Sequence, residues 1–358
     1  MPLMLHVKSL PEEETPERRS PPAPTKAVST VLSLLDTTSV FNMERLQEIV
    51  FQGLDEEPAV RPIAWRLLLG VLGNRPATWT TDLAGKRQVY EGLQEQFLPP
   101  PPEDALFKDI QKDAARTHVQ LSNEGIEWML HILYIFANVH PEVGYTQGMH
   151  EALAPIIYVF NIDDAAEWQA HGEADAFAAF ETLMQALAPL HLPSKSAPSK
   201  TGVQVQMARL NTLLRQHDAR LWQHLNSVAL TPEYYSFRWY ITLFSREFPI
   251  GATLRIWDSL LADKRRFAFL HYVCVAMIIS HRVTLLHRDA DFGSCLTILQ
   301  SQPCTSATAL LEDARKLRDV DRAADTLARQ RLEARRAMAA EPRSGPSIRR
   351  VASPTHRV

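Results

Sequence analysis

Glycine is scarce in this chain, at 13 of 358 residues, about half the usual ~7%. Few tight hairpins and few phosphate-cradling loops can be built from so small a supply. Cysteine is scarcer still. Cys274, Cys295 and Cys304 show no CxxC spacing, and an odd count argues against a disulfide framework and for a reducing compartment. Long apolar runs are missing too. The most apolar stretch, Phe267 to Ile279, spans 13 residues and is interrupted by His271, well short of the ~20 that cross a bilayer. Met1 to Leu10 are broken by His6 and Lys8 and run into Glu12 to Glu14, which does not read as a signal peptide. Pro2 stands where myristoylation requires glycine and no terminal Cys-a-a-X box is present, so neither lipid anchor is expected. These absences point to a cytoplasmic protein.

Self-contained chemistry is equally absent from the motifs. There is no G-x-x-x-x-G-K-[ST], no H-E-x-x-H and no G-x-S-x-G in the chain, which excludes a P-loop nucleotide site, a zincin site and a hydrolase elbow. His140 and His150 lack Cys or His partners at ligand spacing, so they read as satisfied or exposed histidines and no metal site is expected. Asp163-Asp164 lie in a polar stretch and read as a solvated loop or a helix cap.

What the chain does hold is helical periodicity. It is 46% hydrophobic and 22% charged, long enough for two or three domain-sized units with a large core. Residues 1–36 mix Pro, Ser, Thr and charge and read as a disordered lead-in. From Phe41 to about Leu332 the apolar residues follow a helical period. Ile126, Met129, Leu130 and Leu133 form one buried stripe, and Met207, Leu210, Leu214, Leu221 and Leu225 form a second. Leu310, Ala314, Leu317, Ala324 and Ala328 form a third, with arginines on the outer face. Punctuation falls at Pro99–Pro102, at Pro141 with Gly144, across residues 189–198, and at Pro249-Ile250-Gly251. Strand alternation is never sustained and no repeat of 20–50 residues is visible. The expected fold is all-α, with two helical halves packed together about the break near Pro189 to Thr201 and no significant β-sheet.

The formal net charge is −3, which makes no case for nucleic acid, yet residues 315–358 hold 12 Lys/Arg against 5 Asp/Glu. This basic tail is either a solvated helix face running into a disordered end or a contact for acidic lipid or an acidic partner. Within it Arg350-Val-Ala-Ser353-Pro354 resembles a kinase site, whose phosphorylation would lower the positive charge.

Two short segments carry a resemblance. Ile110-Gln-Lys-Asp113-Ala-Ala-Arg116-Thr117 and Gly144-Tyr145-Thr-Gln147-Gly148-Met149 look like the IxxDxxR and YxQG motifs of the TBC domain, which activates Rab-family small GTPases. Further segments agree in order. Gly53-Leu54 and Arg61-Pro-Ile-Ala-Trp65 through Gly70 resemble the domain's opening RxxxW segment. Ser236-Phe-Arg238-Trp239, Phe244-Ser-Arg246-Glu247-Phe248 and Arg255-Ile256-Trp257-Asp258 resemble its C-terminal signature. The resemblance covers Phe41 to Asp319. Glu167-Trp168, Glu173-Ala174-Asp175 and residues 255–263 are most similar to the branch that contains TBC family member 13. Two positions depart from the usual pattern: His150 and Glu151 stand where Asn or Asp commonly follows Gly-Met, and Ala114 where Val is common.

The resemblance implies a multi-helix TBC-type globule over residues 37–320, followed by a basic helical extension and tail over 321–358. It implies a GTPase activator that completes a partner's active site rather than an enzyme in its own right. The partner would be a GTP-bound Rab that brings GTP and Mg²⁺, leaving this chain with no cofactor of its own, and the location cytoplasmic or peripheral on endomembranes. The chemical logic holds on its own terms. A guanidinium supplied in trans neutralises charge on the transferring phosphoryl group and is worth roughly 10³–10⁵ in rate. A carboxamide can accept from the attacking water and donate to phosphate oxygen. The resemblance assigns these roles to Arg116 and Gln147, with Asp113, Tyr145, Gly148 and Thr117 in support. Asp113 either orients Arg116 or forms a plain surface pair. Tyr145 either hydrogen-bonds the finger loop or a GTPase switch, or packs as an aromatic. Gly148 is expected to permit the turn after Gln147. Ile110, Trp65, Trp239 and Trp257 read as core, and Arg61 and Arg238 as supports of the fold. The rival function is a Rab-binding effector or scaffold on the same fold.

Overall fold

Helix starts are set along the chain by short polar side chains. Asp104 accepts from the Phe107 amide at 2.8 Å, Ser122 from Gly125 at 3.0 Å and Asp218 from Leu221 at 3.0 Å, each satisfying a first-turn N–H that has no partner within the helix. Asp291 and Ser294 make a reciprocal capping box. The structure, a computed structural model, describes residues 31, 33, 40–54, 60–163, 166–191, 202–265, 267–301, 303 and 305–340. Most of the lead-in, the segment 192–201, Cys304 and the tail with Ser353 lie outside the described residues.

Among the described residues there is no strand. In order, the helices are α1 (Met43–Phe51), α2 (Arg61–Leu68), α3 (Trp79–Phe97), α4 (Ala105–Ala114), α5 (Asn123–Val139), α6 (Met149–Asn161), α7 (Ala166–Gln169) and α8 (Gly172–His191). After them come α9 (Val203–His217), α10 (Ala219–Ser227), α11 (Phe237–Ile241), α12 (Ile250–Leu261), α13 (Ala268–Ser280), α14 (Arg282–Leu285), α15 (Phe292–Gln300) and α16 (Ala307–Ala340). Helices α3 to α6 pack with α8 into one half, while α9, α10, α13 and α16 form the other. Helices α2 and α12 join the halves: α12 packs on α1, α2, α6 and α16.

The join is built on aromatic and ionic contacts. Trp65 and Trp257 stack at 5.6 Å between ring centroids, and both, like Trp239, are fully buried. The Asp258 carboxylate, also fully buried, accepts from Trp65 Nε1 at 2.9 Å, the Leu54 amide at 3.0 Å and Arg61 Nε at 3.2 Å. Arg238 makes a paired contact to buried Glu247 at 2.6 and 2.8 Å. Removing Arg61 from Asp258 should cost about 3–5 kcal/mol, because the buried charge is left uncompensated, and the Arg238–Glu247 pair is worth less, since the Arg238 side chain is 38% exposed.

Four readings of the sequence change in detail. The stripe in α5 is not one face: Trp128, Ile132, Tyr134 and Phe136 are buried with Met129 and Leu133, whereas Ile126 and Leu130 are only half-buried, because α3, α4, α6 and α8 surround this helix. The five apolar residues from Met207 to Leu225 are all buried, but on two helices, since Asp218 ends α9 and caps α10. In α16 only the first part of the stripe is covered: Leu310 and Ala314 are buried, and Ala324 and Ala328 are exposed. Asp163 is not solvated. It is 9% exposed and accepts from Arg66 at 2.7 Å, while Asp175 takes the same guanidinium at 2.9 Å.

Candidate functional site

Helix α4 buries Ile110, Asp113 and Ala114 on its inner face. This i, i+3, i+4 spacing brings Asp113 inward beside two apolar anchors. The chain turns immediately after the helix, through Arg116 N to Asp113 O at 3.1 Å and Thr117 N to Ala114 O at 3.2 Å. That turn leaves the Arg116 side chain 61% exposed while the carboxylate it pairs with is 8% exposed. Arg116 donates from a terminal nitrogen to Asp113 Oδ1. Thr117 faces inward, its hydroxyl 3.6 Å from Met129 Sδ.

The second loop joins α5 to α6. It closes through Gly144 N to His140 O at 2.8 Å, with Gly144 at φ +62. Tyr145 donates to Asp113 Oδ2 at 2.7 Å, Thr146 meets His191 Nδ1 at 2.7 Å, and Gln147 is exposed. Gly148 then starts α6 at φ +107, where a Cβ would stand 3.0 Å from Ile241 Cδ1. A side chain there is opposed by both backbone conformation and space.

Asp113 therefore joins the two loops, with Arg116 on one oxygen and Tyr145 on the other. Burial alone would raise its pKa, but the hydrogen bonds from Tyr145 and Arg116 outweigh burial and hold it below the ordinary carboxylate value. The structure brings the six residues singled out from the motifs together, with Asp113 in the last turn of α4 and Arg116, Thr117, Tyr145, Gln147 and Gly148 in the two adjoining loops.

The polar contacts continue past the motif residues. His150, 3% exposed, lies with Nδ1 3.2 Å from the Tyr145 hydroxyl. Tyr145 gives its proton to Asp113, so its oxygen accepts from His150 Nδ1–H, which assigns the tautomer. Burial lowers the His150 pKa to about 4, helped by Arg246 and opposed by Asp113, and the ring is neutral at neutral pH. Glu151, 1% exposed, accepts from the His118 amide at 3.2 and 3.3 Å and pairs with Arg246 Nε at 3.5 Å. Burial raises its pKa. Arg246, with a side chain 46% exposed, is a second guanidinium set over a buried carboxylate.

Sequence reasoning named His150 as a ligand considered and set aside and as a departure from the usual pattern, and did not find Glu151, His118 or Arg246 as members of this network. Arg246 stood inside a segment quoted for the resemblance and Glu151 beside His150 as a departure from it, but no local spacing links residues that meet only through the packing of α6 against a distant loop. His140, the other histidine considered as a ligand, lies 3.0 Å from Glu181. Among the described residues no group of three or more His, Cys, Asp or Glu is placed to hold a metal ion.

A model of the Rab-GTPase-TBC domain family matches residues 58–286. TBC1 domain family member 13 of Mus musculus is 37% identical, covering 77% of this chain and 94% of its own length. The protein of the same name from Homo sapiens is 27% identical over the same shares. The crystal structure of the Ypt/Rab-GAP domain of Gyp1p superposes with a TM-score of 0.71 at 25% identity, covering 82% of this chain and 98% of that one.

Proposed function

The chain belongs to the Rab-GTPase-TBC domain family, and from that premise we propose that it accelerates GTP hydrolysis by a GTP-bound Rab through Arg116 and Gln147. The observation that carries this reading is the Asp113 carboxylate, which ties the Arg116 turn to the Tyr145–Gln147 loop while both candidate side chains stay exposed.

The mechanism follows from what each group can do. Asp113 holds the Arg116 guanidinium by one edge, which reduces its rotational freedom before a partner arrives and so reduces the ordering cost on binding. Most of the fork remains open to solvent and can donate to phosphoryl oxygens as negative charge develops there. An ionised Asp113 beneath it does not cancel this effect, because the pair is already formed in the free protein and the transition state adds a new anion in front of it. Gln147, two residues beyond the Tyr145 anchor, would accept a hydrogen bond from the attacking water and donate to the phosphate. Tyr145, Thr117 and Gly148 act as positioning residues. The nucleotide and its Mg²⁺ belong to the partner, so this chain needs no cofactor of its own. On this reading it works on the cytoplasmic face of endomembranes, where its basic tail can meet acidic lipid.

The test is single-turnover hydrolysis by a panel of GTP-loaded Rabs with and without the full chain. At least one Rab should be accelerated by roughly 10³–10⁵. Tight binding to GTP-bound Rabs with no acceleration of any would assign the chain instead to the effector or scaffold class.

A further inference from the structure

Gln147 is exposed, yet the chain around it is tied down on several sides. Tyr145, two residues before it, reaches Asp113 on α4 at 2.7 Å. Gly148, directly after it, is buried, with Ile241 Cδ1 3.0 Å from where a Cβ would stand. Thr146 lies between these ties and has its own. Its amide faces Met149 Sδ at 3.4 Å and its carbonyl accepts from the Met149 amide at 3.2 Å. Its hydroxyl meets His191 Nδ1 at 2.7 Å. Tyr145 and Thr146 are therefore consecutive residues held by two different helices, α4 and α8. His191 is the last residue of α8, a helix that buries Leu183, Met184, Leu187 and Leu190 and packs on α3, α5 and α6. Its ring is not there for stability alone. Nε2 is buried without a hydrogen-bond partner, and burial lowers the ring's pKa to about 4, so the imidazole is neutral with one nitrogen unsatisfied. A buried polar atom without a partner lowers stability, and an apolar side chain would fill the same space without that loss. Among the described residues the ring's one hydrogen bond goes to the residue next to Gln147.

We infer that Thr146 and His191 are positioning residues for Gln147, a role that rests on the reading of Gln147 proposed above. A carboxamide that orients water has to be held close to its productive geometry, and a misplacement of about 1 Å can lower a rate by roughly 10². The Tyr145 tie alone leaves the following residue free to swing about it. The Thr146–His191 bond adds a second point of attachment from a second helix. Two such points on consecutive residues fix the direction in which the chain enters Gln147.

The experiment follows single-turnover hydrolysis by a responsive Rab against increasing concentrations of the full chain, which separates the maximal rate from the half-saturating concentration. Thr146→Val, which keeps the shape but removes the hydroxyl, and His191→Phe should each lower the maximal rate by roughly 10–10². The half-saturating concentration should stay near that of wild type, because the rest of the interface is untouched. Thr146→Ser keeps the hydroxyl, and His191→Asn places an amide group where Nδ1 lies, so both should retain most of the rate. In the Gln147→Ala background, where Arg116 still supplies some acceleration, Thr146→Val should slow hydrolysis little further, since residues that act as a unit are not additive. Damage to the fold or to Arg116 would instead add in full. Three results would overturn the role of this pair while Gln147→Ala remains slow: Thr146→Val at the wild-type rate, a full additional loss in the Gln147→Ala background, or His191→Asn as slow as His191→Phe. Gln147→Ala at the wild-type rate would overturn the reading of Gln147 and this role with it.

Discussion

Arg116 is exposed and its counter-ion is buried, so changing each should have a different effect. Arg116→Ala should abolish most of the acceleration, because it removes the main positive charge this chain presents at that loop. Arg116→Lys should restore little, since a point ammonium does not reproduce the planar fork. Gln147→Ala should also be severe. If both side chains act on one transition state, the double variant should be scarcely slower than Arg116→Ala alone. Single-turnover rates on a responsive Rab, with thermal melts alongside, check this; Gln147→Ala should stay within about 0.5 kcal/mol of wild type, as for an exposed loop residue, and Arg116→Ala should melt lower, because it leaves the buried Asp113 carboxylate without its counter-ion. Full activity in Arg116→Ala would place the chemistry elsewhere. Histidine supplies a second prediction at this scale. Burial lowers His150, His191 and His271 to about 4, whereas an unfolded chain protonates its histidines near pH 6.5. Between those values the unfolded chain binds more protons, so stability should fall as pH drops through that window. Each buried ring contributes on the order of 1–3 kcal/mol to that loss. Melts taken between about pH 7 and pH 4.5 should show the decline. His150→Asn, which keeps a donor toward Tyr145 but does not titrate, should make the decline shallower; an unchanged slope would show that His150 is not one of the groups responsible.

At the level of elements, Gly148 sets the junction between the Gln147 loop and α6. Gly148→Ala meets Ile241 Cδ1 at 3.0 Å and must hold φ +107. The Ile241 contact is the far end of a flexible side chain and can move aside, so the backbone term dominates at about 1–3 kcal/mol. The expected result is a protein that folds with a lower melting temperature and hydrolyses GTP poorly, because the strain is relieved by shifting the residue just before it. A stable and fully active Gly148→Ala would show that the junction tolerates the change. The helices themselves were legible in the sequence, because burial of apolar residues imposes a period that survives in any one chain. Their ends were less so. Nothing in the run from Met207 to Leu225 announces that Asp218 will stop one helix and start another, as both sides of the break are buried. Asp163 was misread for a related reason: an acidic pair in a polar stretch gives no hint that Arg66, far away in sequence, will arrive to pair with it. The two loop motifs could be named from the sequence, but the buried layer beneath them could not. Glu151 and Arg246 meet only once α6 is packed.

For the molecule as a whole, the question is where the globule stops along α16. The helix runs from Ala307 to Ala340, and its early turns pack on α12 and α13. Past Ala314 its apolar residues lose their cover, and Val320, Leu327 and Leu332 are exposed. One polar tie lies further out. Asp321 accepts from Gln216 at 2.6 Å and from the Tyr272 hydroxyl at 3.0 Å, and it meets His217 Nε2 at 3.2 Å. That single carboxylate clips α16 to both α9 and α13, one residue past the 320 boundary expected from sequence. A chain ending at Asp325 should therefore melt like the full protein and keep its activity on a soluble Rab. A chain ending at Asp319 should lose stability by about 1–3 kcal/mol, the cost of leaving half-buried donors without their acceptor, although no apolar core residue has been removed. Asp321→Asn in the full chain separates the two causes. It keeps the helix and its length but gives up the charge, and should recover part of the difference between the two truncations. Equal melting of both truncations would show that Asp321 contributes nothing to holding α16 on α9 and α13. A sharp loss of activity in the longer truncation, with its melt unchanged, would place the exposed basic turns of α16 among the surfaces that meet the Rab.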